Sequence, residues 1–187
     1  MRLRLADFGS QLIGRVLGKR HFAKACELLA EAAPGELVIL DFKGVDRVNG
    51  SWLNSMIVPL VQWMADERNN FFPVIQNATA DWLDELQLVA DWYHLGFLVA
   101  TDHREPPRRA DLVGPLDPAQ RATLNAVLEY GEVTGAELER RRKPENVQAT
   151  AWNNRLRDLF AKRLIRRRKE GREQIYFPVV KEVAFNG

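Results

Sequence analysis

Hydrophobic and polar positions follow two rhythms along this chain, and the rhythm changes near residue 102. Up to there, short apolar runs alternate with stretches of helical repeat. Arg2 to Phe8 is expected as a short edge strand. Phe22, Ala25, Cys26 and Leu29 fall at i, i+3, i+4 and i+7, which predicts a helix over Ala23 to Ala33 that Pro34-Gly35 stops. Glu36 to Phe42 is a near-continuous apolar run, as a buried parallel strand requires. Ser51 is expected to cap the next helix, on which Leu53, Ile57, Leu60, Val61 and Met64 repeat at helical spacing. Phe71 to Ile75 reads as a strand. A third helix is expected from Thr79 or Asp81 to about Trp92, and a final strand over Gly96 to Ala100. Strands alternating with helices predict a small α/β sheet covered by helices over residues 1–101.

Residues 102–116 break the pattern. Pro106, Pro107 and Pro115 stand among several charges, which predicts a linker or an extended segment lying against a domain. A second, mainly α unit is expected over 117–182. Asp117 is its first N-cap, with Pro118 at the first helical position. Thr134 caps a short helix, Lys143-Pro-Glu-Asn is turn-like, and a longer helix runs from about Gln148 to Lys162. Two strand-like arms then meet at Glu170-Gly171, where glycine supplies the positive φ of a tight turn. Trp152, Leu156, Leu159 and Phe160 are spaced to face a core. That leaves Thr150, Asn153, Asn154 and Arg157 on exposed or partly exposed faces.

Charge sharpens the contrast between the halves. Residues 1–110 hold 12 Lys and Arg against 14 Asp and Glu, a net −2, whereas 111–187 hold 15 against 11, a net +4. Within 139–172 there are 13 basic and 4 acidic residues, a net +9, which points to a polyanion as partner. A single cysteine, Cys26, permits neither an internal disulfide nor a cysteine-based zinc site. No apolar run reaches the roughly 18–20 residues of a membrane span, and the first residues lack a signal-peptide core. A cytoplasmic location without membrane attachment is expected. His21, His94 and His103 are scattered without metal-ligand spacing. Phosphate-binding, dinucleotide and nucleophile-elbow motifs are missing. No catalytic residue, metal or cofactor is therefore expected. Asp41 is read as ending its strand and bonding loop N–H groups.

Val38 to Met56 reads Val-Ile-Leu-Asp-Phe-Lys-Gly-Val-Asp-Arg-Val-Asn-Gly-Ser-Trp-Leu-Asn-Ser-Met. It resembles the STAS-like domains related to anti-sigma-factor antagonists: a buried strand ending in an acid (Asp41), then Gly44-Val45, a short loop, and a serine opening the next helix (Ser51). The resemblance covers about residues 1–101. It implies a protein partner of the kinase or ATPase kind and a regulatory phosphorylation at Ser51. The family's Asp-Ser-Ser-Gly is here Asn49-Gly50-Ser51-Trp52, which puts a bulky indole beside the serine.

Residues 117–180 resemble bacterial winged-helix regulators, most closely over Ala151-Trp-Asn-Asn-Arg-Leu-Arg-Asp-Leu-Phe-Ala-Lys-Arg-Leu-Ile-Arg-Arg. Arg163 stands where such regulators often carry a glycine. The resemblance implies double-stranded DNA as partner. Gln148, Thr150, Asn153 and Asn154 are the candidates for base edges, and Arg157 for a guanine or a phosphate. Arg140, Arg141, Arg142 and Lys143 at the turn, and Arg166, Arg167, Arg168, Lys169 and Arg172 on the hairpin, are the candidates for phosphates. A homodimer is expected, with Trp82, Trp92 and Tyr93 as candidate interface aromatics. Three roles fit this reading: a DNA-binding regulator, an anti-sigma-antagonist-like interaction switch, or an accessory nucleic-acid-binding subunit of a defence system.

Overall fold

Residues 72–76, Phe-Pro-Val-Ile-Gln, are buried at every position, so material must cover both faces of the strand they form. Side chains alternate between the faces of a strand. Phe72 and Val74 join one apolar cluster, and Ile75 joins another. The two clusters are the two cores of the molecule, one on each side of a single sheet.

The computed structural model describes residues 1–185. The chain runs through β1 (Arg2–Arg4), a 3-10 turn (Leu5–Phe8), β2 (Gln11–Leu12), α1 (Arg15–Leu29), β3 (Leu37–Asp41), β4 (Arg47–Val48), α2 (Gly50–Ala65) and β5 (Phe72–Gln76). It continues through α3 (Ala80–Tyr93), β6 (Phe97–Ala100), β7 (Arg109–Val113), α4 (Pro118–Tyr130) and α5 (Gly135–Arg141). A 3-10 turn (Lys143–Glu145), α6 (Ala149–Ala161), β8 (Ile165–Glu170), β9 (Glu173–Pro178) and β10 (Glu182–Phe185) complete it. This is an α/β fold with a mixed sheet and, among the described residues, six α-helices. The main sheet has the order β1-β3-β5-β6-β7-β10. Neighbours are parallel from β1 to β6, β7 is antiparallel to β6, and β10 is parallel to β7.

Helices α1, α2 and α3 supply the first core. Leu53, Met56, Ile57, Leu60 and Met64 of α2 are fully buried there, with Trp52. The Trp52 Nε1–H donates to His21 Nδ1 at 3.1 Å. Burial keeps the His21 imidazole below its ordinary pKa, the neutral form that can accept this bond. Asp41 ends β3 as expected. Its Oδ1 accepts from the Lys43 amide at 3.0 Å and from Asn77 Nδ2 at 2.6 Å, and its Oδ2 accepts from Arg2 at 2.5 Å.

The second core joins the other sheet face, through Phe72, Val74, Leu98 and Leu112, to α4, α6 and the β8-β9 hairpin. The helix ends expected here are present. Asp117 with Gln120, and Thr134 with Glu137, both form reciprocal capping boxes. α6 closes in a Schellman motif: the Leu164 amide donates to the Leu159 carbonyl and the Arg163 amide to the Phe160 carbonyl.

Four expectations are corrected. The edge strand ends at Arg4, and the chain tightens into a 3-10 turn that buries Leu5. The first helix starts at Arg15, well before Ala23, and ends at Leu29. Gly18 lies inside it because α2 passes there; a Cβ at Gly18 would sit 2.8 Å from that of Ser55. Ser51 is not the cap of α2. Asn49 is, its Oδ1 accepting from the Trp52 amide at 3.0 Å and the Gly14 amide at 3.2 Å. The linker reading of 102–116 gives way to the other alternative, an extended segment lying against a domain: it holds a strand, β7, whose Ala110, Leu112 and Val113 are buried. With β10 added beyond it, the final strand expected at Gly96–Ala100 is an interior one.

Candidate nucleic-acid interface

Helix α6 is polarised around its axis. Trp152, Leu156 and Leu159 are fully buried, and Phe160 nearly so. Thr150, Asn153, Asn154 and Arg157 are exposed, as is the N-cap Gln148. Arg157 Nη2 donates to Asn154 Oδ1 at 3.1 Å, so these two share one stretch of the helix surface. Asn153 flanks them and packs against the start of α5. A Cβ on Gly135 would collide with the Asn153 amide and lie 2.8 Å from the Ala149 carbonyl oxygen. Glycine is what lets the two helices approach this closely.

The basic residues of the turn divide. Arg140 and Lys143 are exposed and, among the described residues, make no ion pair or hydrogen bond through their side chains. Arg141 lies over the Tyr130 ring at 4.9 Å. Arg142 is held in the fold by Glu145 at 2.6 Å and Glu129 at 3.3 Å.

Those of the hairpin divide too. Arg166 turns toward the first half of the chain, donating to the Gly35 carbonyl at 2.5 Å and lying 5.3 Å from the Phe72 centroid. Arg168 binds both oxygens of Glu132, at 2.5 and 2.8 Å, and reaches Glu170 at 3.4 Å. Its bonds with Glu132 hold the guanidinium above its ordinary pKa and the carboxyl below its own. Arg167 lies over Phe160 at 4.1 Å. Lys169 and Arg172 are exposed near the tip, without a side-chain partner among the described residues.

One polar groove of about 380 Å³ gathers residues from all three elements: Thr134 at the start of α5, Asn153 and Arg157 on α6, Arg167, Arg172 and Gln174 on the hairpin. It brings together four of the sequence-derived candidates. Arg142 and Arg166 are engaged elsewhere in the fold, whereas Arg168 stays exposed but tied to Glu132.

Comparison with known proteins found no matching family model, curated protein or solved structure.

Two cations next to this surface carry roles that sequence reasoning missed. Lys162 Nζ donates to the His94 carbonyl at 2.5 Å, and burial lowers its pKa. Arg163 is 2% exposed. Its Nη1 donates to Asn70 Oδ1 at 2.7 Å, its Nη2 donates to the Ala65 carbonyl, and its guanidinium lies over Phe72 and Phe160 at 5.2 and 4.6 Å. Burial pushes it down to about 10, still charged at neutral pH. The available signal was an arginine where a helix end favours glycine; it takes the left-handed φ of 61°.

Ser51 is exposed as the second residue of α2, and Trp52 beside it points into the core. The Glu85 carboxylate lies close to Gly50, where it complements the positive end of the helix. Of the three candidate interface aromatics, Trp82 is core, 4.3 Å from the Phe42 centroid, whereas Trp92 is 81% and Tyr93 39% exposed. Among the described residues no helix is long and apolar enough to cross a membrane.

Proposed function

We propose that this protein is a DNA-binding transcriptional regulator of the cytoplasm, without a catalytic role. In this reading α5, the turn, α6 and the hairpin act as a winged helix-turn-helix on double-stranded DNA. The STAS-like first half takes a protein partner or a second copy of the chain. One observation carries the reading: α6 exposes Thr150, Asn154 and Arg157 while the adjoining groove sets Arg167 and Arg172 beside them. Amide and guanidinium groups on an exposed helix suit base edges, and cations on a neighbouring hairpin suit phosphates.

The test is binding of the full chain to labelled genomic fragments across a salt series, beside a Lys169→Ala/Arg172→Ala variant. Each lost phosphate contact makes the slope of log K against log salt shallower by about 0.9. A variant indistinguishable from the parent, or a parent that binds no duplex at moderate salt, refutes the reading. A second reading, a partner-switch protein like the anti-sigma antagonists, is favoured by exposed Ser51 and by the apolar surface of Leu88 and Trp92 on α3. It predicts capture of a protein partner that a Ser51→Asp variant loses.

A further inference from the structure

A cleft of about 1000 Å³ opens between the 104–108 segment, the end of α4 and residues 177–181. Its floor is apolar: Pro107 and Val179 are buried, and Leu128, Phe177 and Pro178 half-buried. Five charged residues stand around it. Each of the two acids already faces an arginine: Glu105 faces Arg2 at 3.3 Å, which also holds Asp41, and Glu132 faces Arg168, which also reaches Glu170. The three cations, Arg104, Arg108 and Lys181, are exposed, and among the described residues their side chains have no ion pair or hydrogen bond. The cleft therefore carries three cations without a side-chain partner around an apolar floor.

Two of those cations are placed by fixed backbone. The amides of Lys181 and Glu182 donate to the Arg108 carbonyl at 2.9 and 3.0 Å, and the Arg108 amide donates to Asp102 at 3.1 Å. Anchoring of this kind removes part of the ordering cost of binding. The volume is at the upper end of the about 300–1,000 Å³ typical of small-molecule sites, which combine an apolar lining with a few placed polar groups.

We propose that this cleft binds a small organic anion, its ring or branched apolar body on Leu128, Phe177 and Val179 and its carboxylate against Arg108 and Lys181. The occupant would lie against the hairpin. Phe177 pairs with Arg166 across the β8-β9 ladder, and Glu132 at the cleft wall holds Arg168. An effect of the anion on DNA affinity follows from this contact and rests on the DNA-binding reading; the binding itself does not.

The test uses the full chain without DNA, titrated calorimetrically with 2-naphthoate and with its neutral counterpart 2-naphthalenemethanol. The acid is expected to bind at least about tenfold more tightly than the alcohol. Arg108→Gln/Lys181→Gln removes that preference and leaves the alcohol's affinity and the urea midpoint unchanged. Leu128→Trp, which fills the floor, weakens both ligands. Absence of saturable naphthoate binding up to about 5 mM, equal affinity for acid and alcohol, or an acid preference that survives the double substitution overturns the proposal. A protein that takes naphthoate but no duplex keeps the cleft and loses the DNA reading.

Discussion

Replacing Arg163 tests whether the basic half of the chain is held to the sheet by one side chain. Arg163→Ala deletes two charge-assisted hydrogen bonds, to Asn70 Oδ1 and the Ala65 carbonyl, each contributing about 1.5–3 kcal/mol. It also deletes contacts with Phe72 and Phe160, about 0.5–2 kcal/mol each. Against this, a buried guanidinium no longer has to be desolvated, a cost of several kcal/mol. The net expected loss is about 3 kcal/mol, because the Asn70 and Ala65 acceptors lose their donor and a cavity is left beside Phe72 and Phe160. Arg163→Gly loses the same side chain but relieves a left-handed backbone, so it is expected to be about 1 kcal/mol more stable than the alanine variant. Arg163→Lys keeps the charge but not the two-pronged donor, and falls between alanine and the parent. The assay is urea unfolding at pH 7, followed by tryptophan fluorescence and circular dichroism. One transition shared by both probes is expected, because Phe72 and Leu98 of the sheet belong to the same core as Trp152 and Leu156. A loss under about 1 kcal/mol for the alanine variant, or two separate transitions, refutes the account.

Further outcomes follow from other contacts. Gly135→Ala forces a methyl against the Ala149 carbonyl where α5 meets α6, and is expected to cost about 1–3 kcal/mol in urea unfolding. For Asp41, burial opposes the ionised form, but Asn77, the Lys43 amide and Arg2 outweigh it and hold the folded pKa below its ordinary value. Its contribution is thus complete above the unfolded-state pKa of about 3.9 and disappears as pH falls through the lower folded value. Asp41→Asn should cost about 2 kcal/mol at pH 7 and flatten the stability profile across that acid interval. If α6 reads bases, Asn154→Ala reduces discrimination between cognate and mismatched duplex by about 1–3 kcal/mol while leaving the salt slope unchanged.

Local chemistry was the legible part of this chain. Asp117-Pro118 and Thr134 announce their helices because capping is decided within four residues, and the Trp152, Leu156, Leu159 spacing declares its buried face. Ser51 was misplaced because Asn49, two residues earlier, is an equally good cap, and only the approach of Gly14 selects it. The pairing of β7 was hidden because Arg109-Ala-Asp-Leu-Val follows two prolines and one of its two partners, β10, lies far along the chain. The basic run was legible as a cluster but not as a division of labour. Arg166, Arg168 and Lys169 look alike in sequence. What separates them is the position of Gly35 and Glu132, which tertiary structure alone determines.

Strands β7 and β10 are adjacent and parallel, and a parallel pair must be joined by a connection that leaves the sheet and returns. Here that crossover is the whole of α4, α5, α6 and the hairpin. The helices proposed to meet DNA are thus a loop of the sheet, fastened at both ends to neighbouring strands, and have no tether on which to swing. A partner that bound the sheet half would act on them through this two-point attachment. In a pair of such chains, the spacing between the two copies of α6 would be fixed by how the sheet halves associate, giving a ruler whose length is set outside the residues proposed to contact DNA.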